Sequence, residues 1–220
     1  MRKLLQIGGL LAGLVLGLAT PLLAQRTISD ARISYTVEMP QEQLQMEAMF
    51  AGSSMTQYMR GNQSRIDMNF NVVNYIYLLN AQDETVITLM DNHGDKYLIR
   101  TDKKGYEQDT KKYRNTKFTD QSETREIAGF KCRKAIGKME DGSTFDVYYT
   151  LDLVPENKYY NRRFMNLKGI PLEFEIVTKT GSKMKVTATK VDLSPVPASV
   201  FDVPRGYREI TADELKKIRG

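Results

Sequence analysis

Apolar and polar residues alternate along most of this chain with the two-residue period of half-buried β-strands. Ile33, Tyr35 and Val37 alternate with polar residues, for example, and Pro40 ends their strand. Similar segments are separated by turns rich in Gly, Asn, Asp and Ser: 44–50, 55–59, 65–70, 72–80, 85–90, 96–101, 124–139, 144–150, 170–178 and 183–192. About ten strands with short turns predict a large antiparallel sheet with one covered and one solvated face.

Three segments depart from this pattern. Residues 103–118 are strongly charged with little apolar periodicity, which predicts a long exposed segment containing a helical turn. Residues 155–168 are predicted to be irregular. Near the end, Thr211 and Glu214 have the spacing of a capping box and basic residues follow, which predicts a short helix over residues 211–219.

The N-terminus is typical of an exported protein. Arg2 and Lys3 precede an uncharged run over residues 4–18, and Ala24 offers a small residue before Gln25. The alternative is a membrane anchor, because the uncharged stretch is long enough to cross a bilayer. Its glycines and Pro21 favour a signal peptide over residues 1–24. We therefore expect a single β-rich domain, residues 25–220, in the periplasm.

Charge and cysteine content narrow the function classes. The formal net charge is +5 and both signs are mixed along the chain, without the clustered basic stripe that nucleic-acid binding needs. Cys132 is the only cysteine, so no disulfide can form within the chain. A buried thiol is favoured over a bridge between two chains, because free cysteine commonly packs in cores.

The residues that usually carry catalysis or metals are sparse. His93 is the only histidine and lies in a predicted turn, which favours a solvated side chain over the general base of a triad. Zinc prefers clustered His and Cys. Asp91, Asn92 and Asp95 could bind calcium through oxygen atoms, but the same residues are ordinary in turns. The sequence predicts neither a metal nor a cofactor.

A pair of carboxylates offers a further catalytic hypothesis. Glu173 and Glu175 lie two residues apart on a strand and would share a face, as the carboxylates of glycosidases might. The favoured interpretation is a solvated strand face opposite Leu172, Phe174 and Ile176. An enzyme using Glu173, Glu175 or Asp146 remains a minor hypothesis, and the prediction is that the protein is not an enzyme.

Methionine is unusually frequent, with eleven residues, several of them between positions 46 and 68. Its flexible thioether suits adaptable apolar surfaces, so these residues could line a cavity or fill a core. The tyrosines leave the same choice open, because aromatic residues suit strands generally. Two basic pairs, at residues 103–104 and 162–163, are expected to be solvated, with attraction of anionic lipid headgroups in a peripheral membrane contact as the alternative.

Four segments, in the same order along the chain, resemble a known group of proteins: residues 123–135 (ETREIAGFKCRKA), 146–150 (DVYYT), 168–173 (KGIPLE) and 201–207 (FDVPRGY). They are similar to motifs of small exported β proteins of unknown function, common in Bacteroidota envelopes and including those named for a GLPGLI motif. Those families are similar in outline to the outer-membrane lipoprotein carriers. The resemblance implies an unclosed, curved antiparallel half-barrel around an apolar cavity, with helices as a lid.

Together these observations predict a mainly β protein whose curved antiparallel sheet forms an unclosed half-barrel with one or a few short helices. The resemblance implies that its concave face would hold a hydrophobic ligand, either a lipid or the acyl chain of a lipoprotein. Alternation selects seven candidate ligand-binding residues: Met46, Met68, Phe70, Tyr75, Tyr77, Phe174 and Ile176. The alternative is an envelope interaction or assembly protein with a protein partner, a solid core and no ligand.

Overall fold

The computed structural model describes residues 25–39, 50–177 and 183–219. The predicted signal peptide, most of the predicted strand at 44–50 and the turn at residues 181–182 lie outside these ranges. Within them the strands are β1 Arg26–Ile28, β2 Asp30–Glu38, β3 Ser54–Arg60, β4 Gln63–Asn69, β5 Asn74–Asn80, β6 Thr85–Asn92, β7 Asp95–Thr101, β8 Lys117–Ile127, β9 Phe130–Lys138, β10 Thr144–Thr150, β11 Leu153–Pro155, β12 Ile170–Val177, β13 Lys183–Asp192 and β14 Arg208–Glu209. The helices are α1 Lys103–Arg114 and α2 Ala212–Arg219, with 3₁₀ turns at Lys158–Tyr160, Arg162–Phe164 and Ala198–Phe201.

Twelve of the strands form one sheet in the order β14-β7-β6-β5-β4-β3-β2-β13-β12-β10-β9-β8. Neighbours are antiparallel except for β14, which runs parallel to β7. The short strands β1 and β11 form a separate parallel pair. Because the end strands β14 and β8 do not pair with each other, the sheet is not closed, and the predicted unclosed half-barrel is confirmed.

Tight turns set the register of two long hairpins. His93 and Gly94 between β6 and β7 have φ values of 53° and 96°, and Ala128 and Gly129 between β8 and β9 have values of 50° and 81°. Positive φ at both positions of a two-residue turn matches the right-handed twist of the paired strands. The Gly94 amide also donates a hydrogen bond of 2.8 Å to Asp91 Oδ1. His93 is therefore a turn residue, as predicted.

The main cluster of buried apolar residues lies on one face of the sheet and is crossed by a chain of aromatic rings. Phe164, from the 3₁₀ turn Arg162–Phe164, inserts between Phe174 of β12 and Phe145 of β10, with ring centroids 4.9 and 6.3 Å away. Phe174 in turn contacts Tyr35 of β2 at 5.9 Å, and Phe145 contacts Phe118 of β8 at 6.0 Å. Part of the irregular segment predicted at 155–168 therefore packs inside the curved sheet.

Helix α1 is the main difference from the sequence expectation. The predicted exposed segment with a helical turn is instead a helix of 12 residues. Asp102 caps its N-terminus, because the Asp102 carboxylate accepts a hydrogen bond of 2.9 Å from the Gly105 amide. Tyr106 is its buried aromatic residue and packs with Leu79 and Val86 on the sheet. So few buried positions in a charged sequence leave almost no apolar periodicity to detect.

The end of the chain crosses the opposite face of the sheet. Arg60 and Arg65 on that face donate hydrogen bonds of 2.8 and 2.7 Å to the carbonyl oxygens of Val196 and Val200. The predicted C-terminal helix is confirmed as α2, and the Glu214 amide donates to Thr211 Oγ1 at 3.2 Å in the expected capping box. In the part of the chain that the structure describes, no helix is long and apolar enough to span a bilayer.

Among the described glycines, Gly169 leaves the least room for a side chain, and its replacement tests that contact. A Cβ at residue 169 would lie 1.9 Å from the carbonyl oxygen of Thr150, and backbone cannot move aside cheaply. We expect Gly169→Ala to lower the free energy of unfolding by about 3 kcal/mol, as severe overpacking does. Urea denaturation measures the loss. The neighbouring, exposed Lys168→Ala should change stability by less than about 0.5 kcal/mol, and equal midpoints for the two variants would contradict the expectation.

Cys132 is completely buried, which confirms the predicted buried thiol. Burial raises the pKa of this thiol to about 12, whereas an exposed thiol has a pKa of about 8.5. Because only the thiolate reacts, we expect iodoacetamide at about pH 8 to leave folded protein unmodified and to label it fully in guanidinium. Mass spectrometry reads the modification. Rapid labelling of the folded protein, or a disulfide-linked dimer on a non-reducing gel, would show the burial to be wrong.

Candidate functional site

The candidate site is a cavity of about 220 Å³ on the core face of the sheet. One wall comes from alternate positions of β3 to β6 and from β12, and it is largely apolar. The register explains why these residues face the same space, since Met55 pairs with Met68 and Ile66 pairs with Tyr77 across adjacent strands. Its sheet residues are Met55, Ser64, Ile66, Met68, Tyr77, Leu79, Val86, Phe174 and Ile176.

The opposite wall comes from residues 160–164 and from Tyr113 of α1. Gln57, a buried polar residue on β3, fastens this segment to the sheet. Its Nε2 atom donates hydrogen bonds of 3.3 Å to the carbonyl oxygen of Tyr160 and to Ser64 Oγ. Its Oε1 atom accepts a bond of 3.4 Å from Asn161 Nδ2. The segment is thus held inside the half-barrel by polar bonds as well as by the ring of Phe164.

Two adjacent arginines at this wall have different surroundings. Arg162 forms an ion pair of 3.4 Å with Asp109 of α1. The Arg163 guanidinium instead stacks on the Phe145 ring at 4.2 Å, and its buried Nε atom has no hydrogen-bond partner among the described residues. Burial lowers the pKa of Arg163, an effect that Tyr113 and Glu175 oppose.

The cavity adjoins an open groove beside α1. Tyr77, Tyr113 and Arg162 line both the cavity and the groove, so they mark the boundary between them. The remaining groove residues are the neutral Gln108 and five charged residues of both signs: Asp109, Lys111, Lys112, Glu140 and Asp141. A ligand can therefore reach the apolar cavity from a polar entrance.

The structure gathers some of the predicted ligand-binding residues and separates others. Met68, Tyr77, Phe174 and Ile176 line the cavity, and their role in binding stays a prediction. Tyr75 stacks on Tyr77 at 6.2 Å but is not among the lining residues. Phe70 is buried against Phe50 at 5.4 Å and belongs to the core rather than to the cavity. Met46 lies outside the described residues.

Several lining residues were not predicted. Ile66 alternates in phase with Met68 on β4 and could have been found from the same pattern. Tyr160, Asn161, Arg163 and Phe164 come from an irregular segment, where no periodicity assigns a face. Their place at the cavity depends on the long-range contacts of Gln57 and Phe164, which leave no local signal in the sequence.

The paired carboxylates differ from the expectation. Glu173 does not lie on a solvated face; its side chain is only 7% exposed. It accepts hydrogen bonds of 2.7 Å from Arg125 Nη2 and 3.1 Å from Thr187 Oγ1, and Lys185 Nζ lies at 3.5 Å. The Arg125 guanidinium also stacks 3.5 Å above the Tyr148 ring, while its side chain stays 37% exposed.

The other candidate carboxylates are also held by cations. Glu175 pairs with Lys183 at 3.0 Å and Asp146 with Lys134 at 2.8 Å. Glu173 and Tyr148 lie on the face of the sheet opposite Phe174, because adjacent strand residues point to opposite sides. Glu173 is thus on the side of the sheet away from the cavity. Among the residues that the structure describes, no group of three or more His, Cys, Asp or Glu side chains could hold a metal ion.

The ion pair between the buried Glu173 and the partly exposed Arg125 yields a stability prediction. Glu173→Gln should lower the free energy of unfolding by about 2 kcal/mol, because it leaves Arg125 and Lys185 without their shared counter-charge. Urea denaturation measures the loss. Glu126→Gln removes an exposed carboxylate from β8 and should leave stability unchanged. A Glu173→Gln variant as stable as the wild type would mean that this network does not support the fold.

The fold and the cavity define an open β half-barrel protein with a small apolar site on its concave face. No protein-family model matches the chain, and no curated protein matches it. Among solved structures, PNGF-II is similar over 86% of this chain, with 15% identity and a TM-score of 0.50. This chain covers only 32% of the length of PNGF-II. The likeness supports the fold alone.

Two further solved structures align more loosely. An uncharacterized conserved protein from Thermus thermophilus is 6% identical, with a TM-score of 0.48 and coverage of 83% of this chain and 90% of that protein. MucB, in the MucA/MucB complex of Pseudomonas aeruginosa, is 10% identical, with a TM-score of 0.38 and coverage of 80% and 56%. At these scores neither alignment bears on what this chain does.

Proposed function

We propose that this protein is a non-enzymatic binding protein of the cell envelope that holds an apolar group in the cavity of its half-barrel. The apolar cavity between the sheet and residues 160–164 is the observation that carries the proposal. Concave, mostly apolar sites with a few polar groups are the usual form of small-molecule sites. The sequence supports an envelope location through the predicted signal peptide and the resemblance to exported Bacteroidota proteins.

The size of the cavity limits what it can hold. Ligand sites commonly measure about 300–1,000 Å³, so 220 Å³ is small. An apolar cavity of about 150 Å³ holds one benzene ring. In proportion to volume, the present cavity holds a group of about nine non-hydrogen atoms. A short apolar chain fits, or the end of a longer acyl chain whose remainder lies in the groove beside α1.

The filled part of the interior favours a second candidate function. Phe164 and its aromatic neighbours occupy the concave face next to β10 and β12, as a protein with a solid core would require. An envelope interaction or assembly protein would then use its outer surfaces to bind a protein partner. The two candidates differ in one measurable respect, because only the first needs a ligand inside the sheet.

Neighbouring residues on β12 allow a matched test of the cavity. Ile176 lines the cavity, whereas Val177 is 43% exposed and points to the other side of the strand. We expect wild-type protein and Val177→Trp to bind octan-1-ol in isothermal titration calorimetry. Ile176→Trp should bind at least about tenfold more weakly, because the indole occupies the space of several ligand atoms.

Lipid extraction and native mass spectrometry of protein purified from membranes complete this test. Co-purification of an apolar small molecule with wild type, and its loss with Ile176→Trp, would support the binding function. The absence of octan-1-ol binding by wild type, together with stable co-purification of a protein partner, would favour the interaction protein instead.

A further inference from the structure

Arg163 places an unpaired cation beside the apolar cavity. Arg65, Arg125 and Arg162 each have a carboxylate within 3.4 Å. Arg163 has no such partner among the described residues, and its buried Nε atom makes no hydrogen bond to any of them. Charged groups that are taken out of water are normally paired and hydrogen-bonded. At Arg163 only the Nε atom is buried without a partner, and the residue as a whole is partly buried, so its terminal N–H groups can donate hydrogen bonds to water or to a ligand.

The neighbours of Arg163 compensate its burial only in part. The rings of Phe145 and Phe164 lie 4.2 and 5.9 Å from the guanidinium carbon, and an aromatic face attracts a cation. A ring offers no oxygen atom to the N–H groups, however. Glu175 lies close enough to favour the charged form, but its carboxylate binds Lys183 Nζ at 3.0 Å and the Asp146 amide at 3.4 Å.

We propose that Arg163 binds the anionic group of the ligand, so that the site selects small amphiphiles that combine a short apolar chain with a carboxylate. This inference rests on the binding function proposed above and names its ligand class. The planar guanidinium presents paired N–H donors that match the two oxygens of a carboxylate. Arginine also stays charged at neutral pH when it is partly buried.

The remainder of the site is consistent with a single anion-binding group. The sheet wall offers apolar atoms to a chain of about nine non-hydrogen atoms, and Ser64 and Tyr77 are its only polar side chains among the described lining residues of the sheet. At the entrance, Arg162, Lys111 and Lys112 are balanced by Asp109, Glu140 and Asp141. Attraction for an anion inside the cavity is therefore concentrated at Arg163.

Two probes of equal chain length separate the charge from the apolar chain. Calorimetry compares octanoate with octan-1-ol on the wild type, Arg163→Met and Arg163→Lys. We expect Arg163→Met to bind octanoate at least about tenfold more weakly, because a charge-assisted hydrogen bond is lost, while its affinity for octan-1-ol stays within about threefold of wild type. Arg163→Lys should also weaken octanoate binding, because it keeps the charge but loses the planar pair of donors.

Arg100→Met is the matched control, since it removes an exposed guanidinium outside the cavity that already has Glu209 as its partner at 3.2 Å, and octanoate should bind it as it binds wild type. Equal affinity of octanoate for the wild type and for Arg163→Met overturns the anion-binding role, while octan-1-ol binding still supports the proposed function. Failure of the wild type to bind either probe overturns the proposed function itself. Octyl phosphate binding tenfold more tightly than octanoate would overturn the carboxylate assignment.

Discussion

The insertion of Phe164 between Phe145 and Phe174 is the contact on which the rest of the interior depends. A curved sheet that is not closed exposes an apolar concave face, and some other part of the chain must cover it. Here residues 157–167 turn back into the sheet, and the aromatic ring of Phe164 anchors them there. The hydrogen bonds between Gln57 and residues 160–161 set the distance of this segment from β3. The same contact therefore builds the core and sets the size of the cavity.

This cover is unequal along the sheet. Beside β10 and β12 the aromatic rings meet edge to face and fill the interior. Beside β4 and β5 the cover is thinner, and Ile66, Met68 and Tyr77 border free space. The same half-barrel thus has a solid core beside β10 and β12 and a cavity beside β4 and β5. The two candidate functions, ligand binding and protein interaction, differ in whether the cavity beside β4 and β5 takes up a ligand.

The sequence predicts the sheet well and the site only in part. Alternation identifies the strands and assigns Met68, Phe174 and Ile176 to the inner face, because the period of two is local. It cannot separate Phe70 in the core from Ile176 at the cavity, since that difference depends on where residues 157–167 fold back. The burial of Glu173 has a related cause, because its counter-charge comes from Arg125, 48 residues away. Helix α1 was underestimated because so few of its side chains are buried.

One short turn connects the cavity to its cover. Arg162 and Arg163 are adjacent, yet the first pairs with Asp109 of α1 and the second stacks in the interior. Asn166, shortly after the turn, donates bonds of 2.8 and 3.1 Å to the carbonyl oxygens of Arg114 and Thr116, at the end of α1. The helix and the cavity wall are therefore bonded to the same few residues. Tyr113 at the entrance and the Arg163 guanidinium are therefore positioned by the same short turn.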